Sequence, residues 1–166
     1  ARAGARRSAS HASRTVSNSG FRGRILVVDD NQINRRLLQR ALENEGYEVA
    51  TAEDGRQALD RLQDAAAHRF DVVLLDILMP ELDGYDTLGA IKGDEALRHV
   101  PVIMISAVDE TESVVRCIEV GADDYLQKPF NPVILRARIN AGLTKKRLND
   151  LERARVHDVF SRFLPE

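Results

Sequence analysis

The sequence is poor in cysteine, since Cys117 is the only one among 166 residues. A single cysteine excludes a disulfide framework and a zinc site built from cysteines, and it is typical of proteins from a reducing compartment. We therefore expect Cys117 to be a small core residue on a helix, and we expect the protein to be cytoplasmic.

Long hydrophobic runs are also missing. The apolar runs at 72–75 and 100–105 are far shorter than the roughly 18 residues that suggest a membrane-spanning helix. The phosphate-binding pattern G-x-x-x-x-G-K-[ST] does not occur, which disfavours a P-loop nucleotidase. These absences predict a soluble protein with no membrane partner.

Acidic residues are absent from the first 22 positions, which contain five arginines. The rest of the chain has 19 basic and 26 acidic residues, a formal charge of −7, so an acidic body follows a basic leader. An acidic body argues against direct nucleic-acid binding. The leader lacks the apolar stretch of a secretory signal, and its Arg/Ser/Ala bias is shared with transit peptides, but its composition favours disorder over residues 1–22.

From residue 23 onward, short aliphatic runs alternate with helical patterns. The runs that predict strands are at 24–28, 47–51, 70–75, 100–105 and 124–127, and the helical patterns are at 31–46, 54–68, 84–92, 110–120 and from about 131. Such alternation indicates an α/β fold, with a parallel sheet covered by helices on both faces and right-handed crossovers.

Polar residues follow four of these strands and should meet at the carboxyl edge of the sheet, where ligands bind in such folds. They are Asp29, Asp30, Asp76, Ser106 and Lys128. Three neighbouring acids stay ionised only if a cation offsets their repulsion, and a hard divalent ion such as Mg²⁺ suits carboxylate oxygens. A serine and a lysine can hold the oxygens of a phosphoryl group.

Asp76 is the acid best placed to react. The aliphatic run 72–75 leads directly into it, and this run is the most apolar and central of the predicted strands. A carboxylate can act as a nucleophile and form an aspartyl phosphate, so we interpret Asp76 as the nucleophile. Asp29 and Asp30 alone would fit helix N-caps, but their convergence with Asp76 and Lys128 favours a functional site.

Four segments together resemble the receiver domains of two-component response regulators. They are "LVVDD" (26–30), "LLDILMPELDG" (74–84), "VIMISA" (102–107) and "GADDYLQKPF" (121–130), in this order and spacing. The resemblance covers about residues 23–145. It implies a flavodoxin-like, doubly wound five-stranded sheet with strand order 2-1-3-4-5 and a receiver domain over residues 23–144. The helical spacing of the residues after this domain predicts an extended C-terminal helix.

The resemblance also implies roles for the acids. Asp76 would accept a phosphoryl group from the phosphohistidine of a sensor histidine kinase or phosphotransfer protein. Asp30, Asp76 and the backbone carbonyl of Leu78 would ligate Mg²⁺, with Asp29 acting mainly through a bound water. The domain would then be a regulatory phosphoacceptor and no enzyme beyond its own phosphorylation and slow dephosphorylation.

Three further residues receive roles in the same way. Lys128 and Ser106 would contact the phosphoryl oxygens, and Tyr125 would change rotamer when Ser106 moves. The bond between Lys128 and Pro129 would be cis, a form that is common only before proline.

Two alternatives remain open. A phosphohydrolase of the haloacid dehalogenase type also forms an aspartyl phosphate, but it needs a second acid two residues after the nucleophile, and Leu78 stands there. The domain could instead be an unphosphorylated docking or dimerisation module. Leu78 and Val108 are both apolar and cannot orient a hydrolytic water, so we expect a long-lived phosphoryl group.

The segment 145–166 is too short for a DNA-binding output domain. Its apolar residues Val156, Val159, Phe160, Phe163 and Leu164 follow helical spacing, while Leu148 and Leu151 lie on an offset stripe. We predict a helical linker toward an output domain or a second copy in a homodimer. "VFSRFLPE" resembles the joint before the catalytic domain of class III nucleotidyl cyclases fused to receivers.

Overall fold

The computed structural model of the chain describes residues 22–64, 69–107 and 111–163. Five strands alternate with five helices. The strands are β1 (Arg24–Val28), β2 (Glu48–Ala52), β3 (Val72–Asp76), β4 (Val102–Ser106) and β5 (Asp124–Gln127). The helices are α1 (Gln32–Asn44), α2 (Gly55–Gln63), α3 (Gly84–Gly93), α4 (Thr111–Val120) and α5 (Pro132–Phe163).

All strand pairs are parallel, and the sheet order is β2-β1-β3-β4-β5. The predicted flavodoxin-like topology is confirmed. Strand β3 occupies the centre, and its pairs Val28 with Leu75 and Asp76 with Ile105 bring the carboxyl ends of three strands to one level. The residues that end or follow these strands are therefore neighbours in space.

The central strand has both faces buried. Val72 and Leu74 pack in the core between the sheet and helices α1 and α5, while Val73 and Leu75 pack in the core under α2, α3 and α4. Burying each such side chain contributes about 1.5 to 3 kcal/mol. Two cores therefore hold β3 rigidly, which fixes the position of the acid at its end.

Helix α1 buries only part of its apolar side chains. Leu38 and Leu42 are buried, whereas Ile33 and Leu37 are 69% and 63% exposed. Positions 35, 38 and 42 share one side of a helix. Arg35 is therefore buried on the same side of α1 as the two leucines, toward the N-terminal end of the helix. The buried side of α1 is therefore formed by two leucines and an arginine.

Some element bounds also differ from the predictions. Strand β2 lies one residue later than predicted, and helix α2 ends at Gln63 because the next residue, Asp64, has a non-helical ψ of 75°. Residues 65–68 lie outside the described part of the chain. Gly121, with φ of 113°, directly follows the last residue of α4, and Cys117 in that helix is fully buried as predicted.

Helix α5 is one continuous helix of 32 residues. Its first half is anchored in the core by Leu135, Ile139 and Leu143, whereas its second half projects with its apolar side chains exposed. The predicted extended helix is confirmed through Phe163. Leu164 and the leader up to residue 21 lie outside the described residues. Within the described ranges, no helix is both long enough and apolar enough to span a membrane.

Candidate functional site

Three carboxylates meet at the carboxyl edge of the sheet. Asp29 follows β1, Asp30 comes next, and Asp76 ends the neighbouring strand β3, and one carboxylate oxygen from each lies within 4.8 Å of the others. Asp29 and Asp76 are buried, while Asp30 is exposed. A compact set of oxygen donors, open to solvent on one side, fits a hard divalent cation such as Mg²⁺.

Lys128 approaches this cluster from the loop after β5. Its Nζ donates a hydrogen bond of 2.9 Å to Oδ2 of Asp29 and lies 3.7 Å from Oδ1 of Asp76. The bond between Lys128 and Pro129 is cis, as the resemblance implies. The ammonium group thus faces two of the three acids, beside the space that an incoming anion would occupy.

The environment of Asp76 disfavours its ionised form. Burial raises the pKa of this carboxyl to about 6, with Lys128 opposing the rise and Asp29 and Asp30 adding to it. The backbone N–H of Ile77 also stabilises the carboxylate. A bound cation would lower this pKa and keep Asp76 ionised and nucleophilic at neutral pH.

Ser106 lies on β4, the strand next to that of Asp76, and Tyr125 lies on β5, one strand further out. Ser106 ends β4, is fully buried, and accepts a hydrogen bond of 2.7 Å from the backbone N–H of Lys128 through its carbonyl. Tyr125 pairs with Met104 in the sheet, is half-buried and packs against the core under α2, α3 and α4. The strand register therefore places both residues at the same end of the sheet as the acids.

The residues predicted to control hydrolysis are only partly described. Leu78 follows Asp76 by two positions, and its side chain is 60% exposed. An apolar side chain at this position cannot supply the general acid that a haloacid dehalogenase needs. Val108 lies outside the described residues.

The backbone of Gly84 packs directly against the backbone of Asp76. A Cβ at this glycine would lie 2.3 Å from the carbonyl oxygen of Asp76 and 2.6 Å from Cα of Ile77. Its N–H donates a 2.8 Å hydrogen bond to the carbonyl of Ile77. Helix α3 can therefore begin directly behind the central acid only because no side chain intervenes.

The helix-cap alternative for Asp29 and Asp30 is wrong. The N-cap of α1 is Asn31, whose side chain accepts hydrogen bonds from the N–H groups of Ile33 and Asn34. Asp29 instead accepts a 2.8 Å hydrogen bond from the N–H of Asn31 and the bond from the lysine. Neither acid therefore caps helix α1.

Sequence reasoning missed Arg35. Its Nη1 donates to the backbone carbonyls of Asp29 at 2.7 Å and Asp30 at 3.0 Å, and its Nη2 lies 3.2 Å from Oε1 of Glu53. The available signal was a charged residue on the core-facing side of α1, among Leu38 and Leu42 at helical spacing.

An apolar groove of about 530 Å³ between α1 and the start of α5 opens beside the site. Leu37 and Ala41 form one wall, Phe130 and Pro132 form the other, and Lys128 stands at the end nearest the acids. The groove therefore joins an exposed apolar surface to the acidic cluster.

Comparison with known proteins agrees with this geometry. The response regulator receiver domain family matches residues 25–140. The chain belongs to this family, whose members are phosphoacceptor regulatory domains of two-component systems and interact with histidine kinases or phosphotransfer proteins.

Among its relatives, the response regulator PleD of Caulobacter vibrioides is 44% identical over 125 residues, which are 75% of this chain and 27% of PleD. The transcriptional regulatory protein CpxR of Escherichia coli K12 is 45% identical over 122 residues, or 74% of this chain and 50% of CpxR. The chain thus spans a quarter to a half of these relatives.

Solved structures agree as well. The chemotaxis protein CheY4 of Vibrio cholerae is 35% identical with a TM-score of 0.67, covering 73% of this chain and 98% of CheY4. The BeF3-activated DrrB receiver domain is 34% identical with a TM-score of 0.64, covering 74% of this chain and 97% of that receiver domain. The similarity coincides with the receiver fold.

Proposed function

We propose that Asp76 is the phosphoacceptor of this receiver domain and that Mg²⁺ binds beside it. The observation that carries the proposal is a buried acid at the end of the central strand, within 4.8 Å of Asp29 and Asp30 and 3.7 Å from the ammonium of Lys128. The donor is the phosphohistidine of a sensor histidine kinase or phosphotransfer protein.

In the transfer step, a carboxylate oxygen of Asp76 attacks the phosphorus atom of phosphohistidine. The new O–P bond forms as the P–N bond breaks, and the electron pair of that bond stays on the imidazole. Asp30, Asp76 and the backbone carbonyl of Leu78 would hold the metal, and Asp29 would hold one of its waters. When bound, the ion would neutralise negative charge on the carboxylates and the phosphoryl oxygens.

Two other side chains act on the phosphoryl group itself. Lys128 would exchange its bond to Asp29 for a phosphoryl oxygen, and the Ser106 hydroxyl would donate to another. Movement of Ser106 would open space for Tyr125 to turn inward. Phosphorylation shifts the domain between two conformations only through such differential contacts.

The groove beside α1 supports a docking surface for the phosphodonor. Ile33 and Leu37 are exposed on α1, and the groove ends at Lys128, so a partner seated there would reach Asp76. Leu37→Asp should slow transfer from a kinase and leave uptake from acetyl phosphate unchanged. Ile118→Asp, at a 63% exposed isoleucine on α4, is the matched control.

For the output, we propose that the protein forms a homodimer through the helical linker 145–166. We also propose that this linker leads to a downstream output domain of the nucleotidyl cyclase class. Val156, Val159, Phe160 and Phe163 are each more than half exposed on the projecting half of α5. A second copy packed in parallel would bury this stripe. Sedimentation that shows a monomer at high concentration, with and without phosphorylation, would contradict the dimer.

We also propose a cytoplasmic location, because histidine kinase domains use ATP there, and the single buried thiol supports this proposal. Intact-protein mass spectrometry after incubation with acetyl phosphate and Mg²⁺ tests the function. We expect one added phosphoryl group, absent in Asp76→Asn and absent without magnesium. No uptake from either acetyl phosphate or a phosphorylated histidine protein would leave a docking module in place of a phosphoacceptor.

A further inference from the structure

Arg35 is a buried cation bonded mainly to the backbone. Only 9% of the residue is exposed, although arginine is almost never buried without partners. One nitrogen, Nη1, donates to two successive carbonyls, those of Asp29 and Asp30. The side chain comes from α1, so it ties the peptide units between β1 and α1 back onto the helix that follows them.

These two peptide units carry the acids of the candidate metal site. Both lie beyond Val28, the last residue of β1 that pairs with its neighbours in the sheet. The N–H of Asp29 still donates a 3.2 Å hydrogen bond to the carbonyl of Ala52 in β2, whereas the carbonyls of Asp29 and Asp30 are held by Arg35. Because Arg35 binds the backbone carbonyls of Asp29 and Asp30, its guanidinium does not compete with a metal for their carboxylate oxygens.

We propose that Arg35 is a positioning residue for the metal site, holding Asp29 and Asp30 in the arrangement that binds Mg²⁺. This inference rests on the proposed function, and it adds the residue that holds the metal ligands in position. The permanent charge of the guanidinium also offsets part of the repulsion among the acids.

Glu53 supports this arrangement from the other side. Its Oε1 lies 3.2 Å from Nη2 of Arg35, and its N–H donates to Oε1 of Gln57 at 3.1 Å. The loop between β2 and α2 thus orients the guanidinium. The Glu53 side chain is 63% exposed, so its contribution is smaller than that of the two buried bonds to carbonyls.

The test compares Arg35→Ala and Arg35→Lys with the parent. Arg36→Ala is the matched control, because it removes an exposed arginine from the same helix. Calorimetric titration gives the Mg²⁺ dissociation constant, and uptake from acetyl phosphate gives the half-saturating Mg²⁺ concentration and the maximal rate. Thermal unfolding in EDTA reports folding separately.

Loss of an outer contact to a metal ligand typically weakens metal binding by about 10- to 100-fold. We expect a loss of about tenfold or more in Arg35→Ala, with partial recovery in Arg35→Lys. Arg36→Ala should match the parent, and saturating Mg²⁺ should restore most of the maximal uptake rate. If Arg35→Ala does not fold, Arg35→Lys decides.

Mg²⁺ dissociation constants within twofold of the parent for the folded Arg35 variants would overturn the proposal, as would a parent that binds no Mg²⁺. A parent that binds Mg²⁺ but takes up no phosphoryl group would contradict the proposed function alone. The calorimetric comparison of the variants would then still decide the role of Arg35.

Discussion

Replacing Asp76 by asparagine should stabilise the metal-free protein at neutral pH. The pKa of Asp76 is raised from 3.8 to about 6, chiefly by burial, so ionising this carboxyl in the folded state costs free energy. The folded protein binds its proton more tightly than the unfolded chain, and stability therefore falls as pH rises from about 4 to about 6. Asp76→Asn keeps the shape and removes the charge.

The size of the effect follows from the pKa. A rise of about two units at about 1.36 kcal/mol per unit sets an upper value near 3 kcal/mol at pH 7. The site opens to solvent on one side, which screens the charge, so we expect a gain of about 1 to 3 kcal/mol in the free energy of unfolding. At pH 4 the gain should fall below about 1 kcal/mol, because the parent is then protonated at Asp76 as well.

Urea unfolding in EDTA at pH 4 and pH 7 measures both values. Asp60→Asn, at an exposed acid of α2, controls for the general effect of removing a negative charge. Mg²⁺ should stabilise the parent more than Asp76→Asn and narrow the difference between them. An Asp76→Asn variant no more stable than the parent at pH 7, or a gain that is equal at both pH values, would refute the reasoning.

Three other perturbations test separate parts of the structure. Gly84→Ala should lower the free energy of unfolding by about 1 to 3 kcal/mol, because its Cβ meets the backbone carbonyl of Asp76; an unchanged urea midpoint would contradict this. Leu78→Asn with Val108→Glu should shorten the phosphoryl half-life by about fivefold, the effect of one hydrogen bond of about 1 kcal/mol to the attacking water. Loss of phosphate no faster than in the parent would count against it. Phe160→Asp should shift the proposed dimer toward monomer in sedimentation. An unchanged sedimenting mass would exclude the exposed apolar residues of α5 from the dimer interface.

Much of the fold was predictable because two physical rules act together. Short aliphatic runs alternating with helices define a parallel sheet, and a parallel sheet brings the ends of its strands to one edge. Asp29, Asp76 and Lys128 are far apart in the chain, yet their positions after strands were enough to place them together. The strand order itself came from the family resemblance.

The remaining features depend on distances that the sequence does not encode. The sequence indicates only that Gly84 is a turn residue, because the close approach of the Asp76 carbonyl is visible only in the structure. In the sequence, Arg35 is one of several arginines on α1. A pattern of apolar residues cannot show that a guanidinium occupies a buried position beside Leu38 and Leu42. For the same reason, the apolar spacing of α1 does not show that Ile33 and Leu37 are exposed.

The central claim is that Asp76, and neither of its acidic neighbours, receives the phosphoryl group. Borohydride reduces an acyl phosphate to an alcohol, so an aspartyl phosphate becomes homoserine at the position that carried it. Peptide mass spectrometry after acetyl phosphate, Mg²⁺ and borohydride should locate homoserine at position 76 alone. Homoserine at position 29 or 30, or none in a protein shown to bind Mg²⁺, would contradict the account.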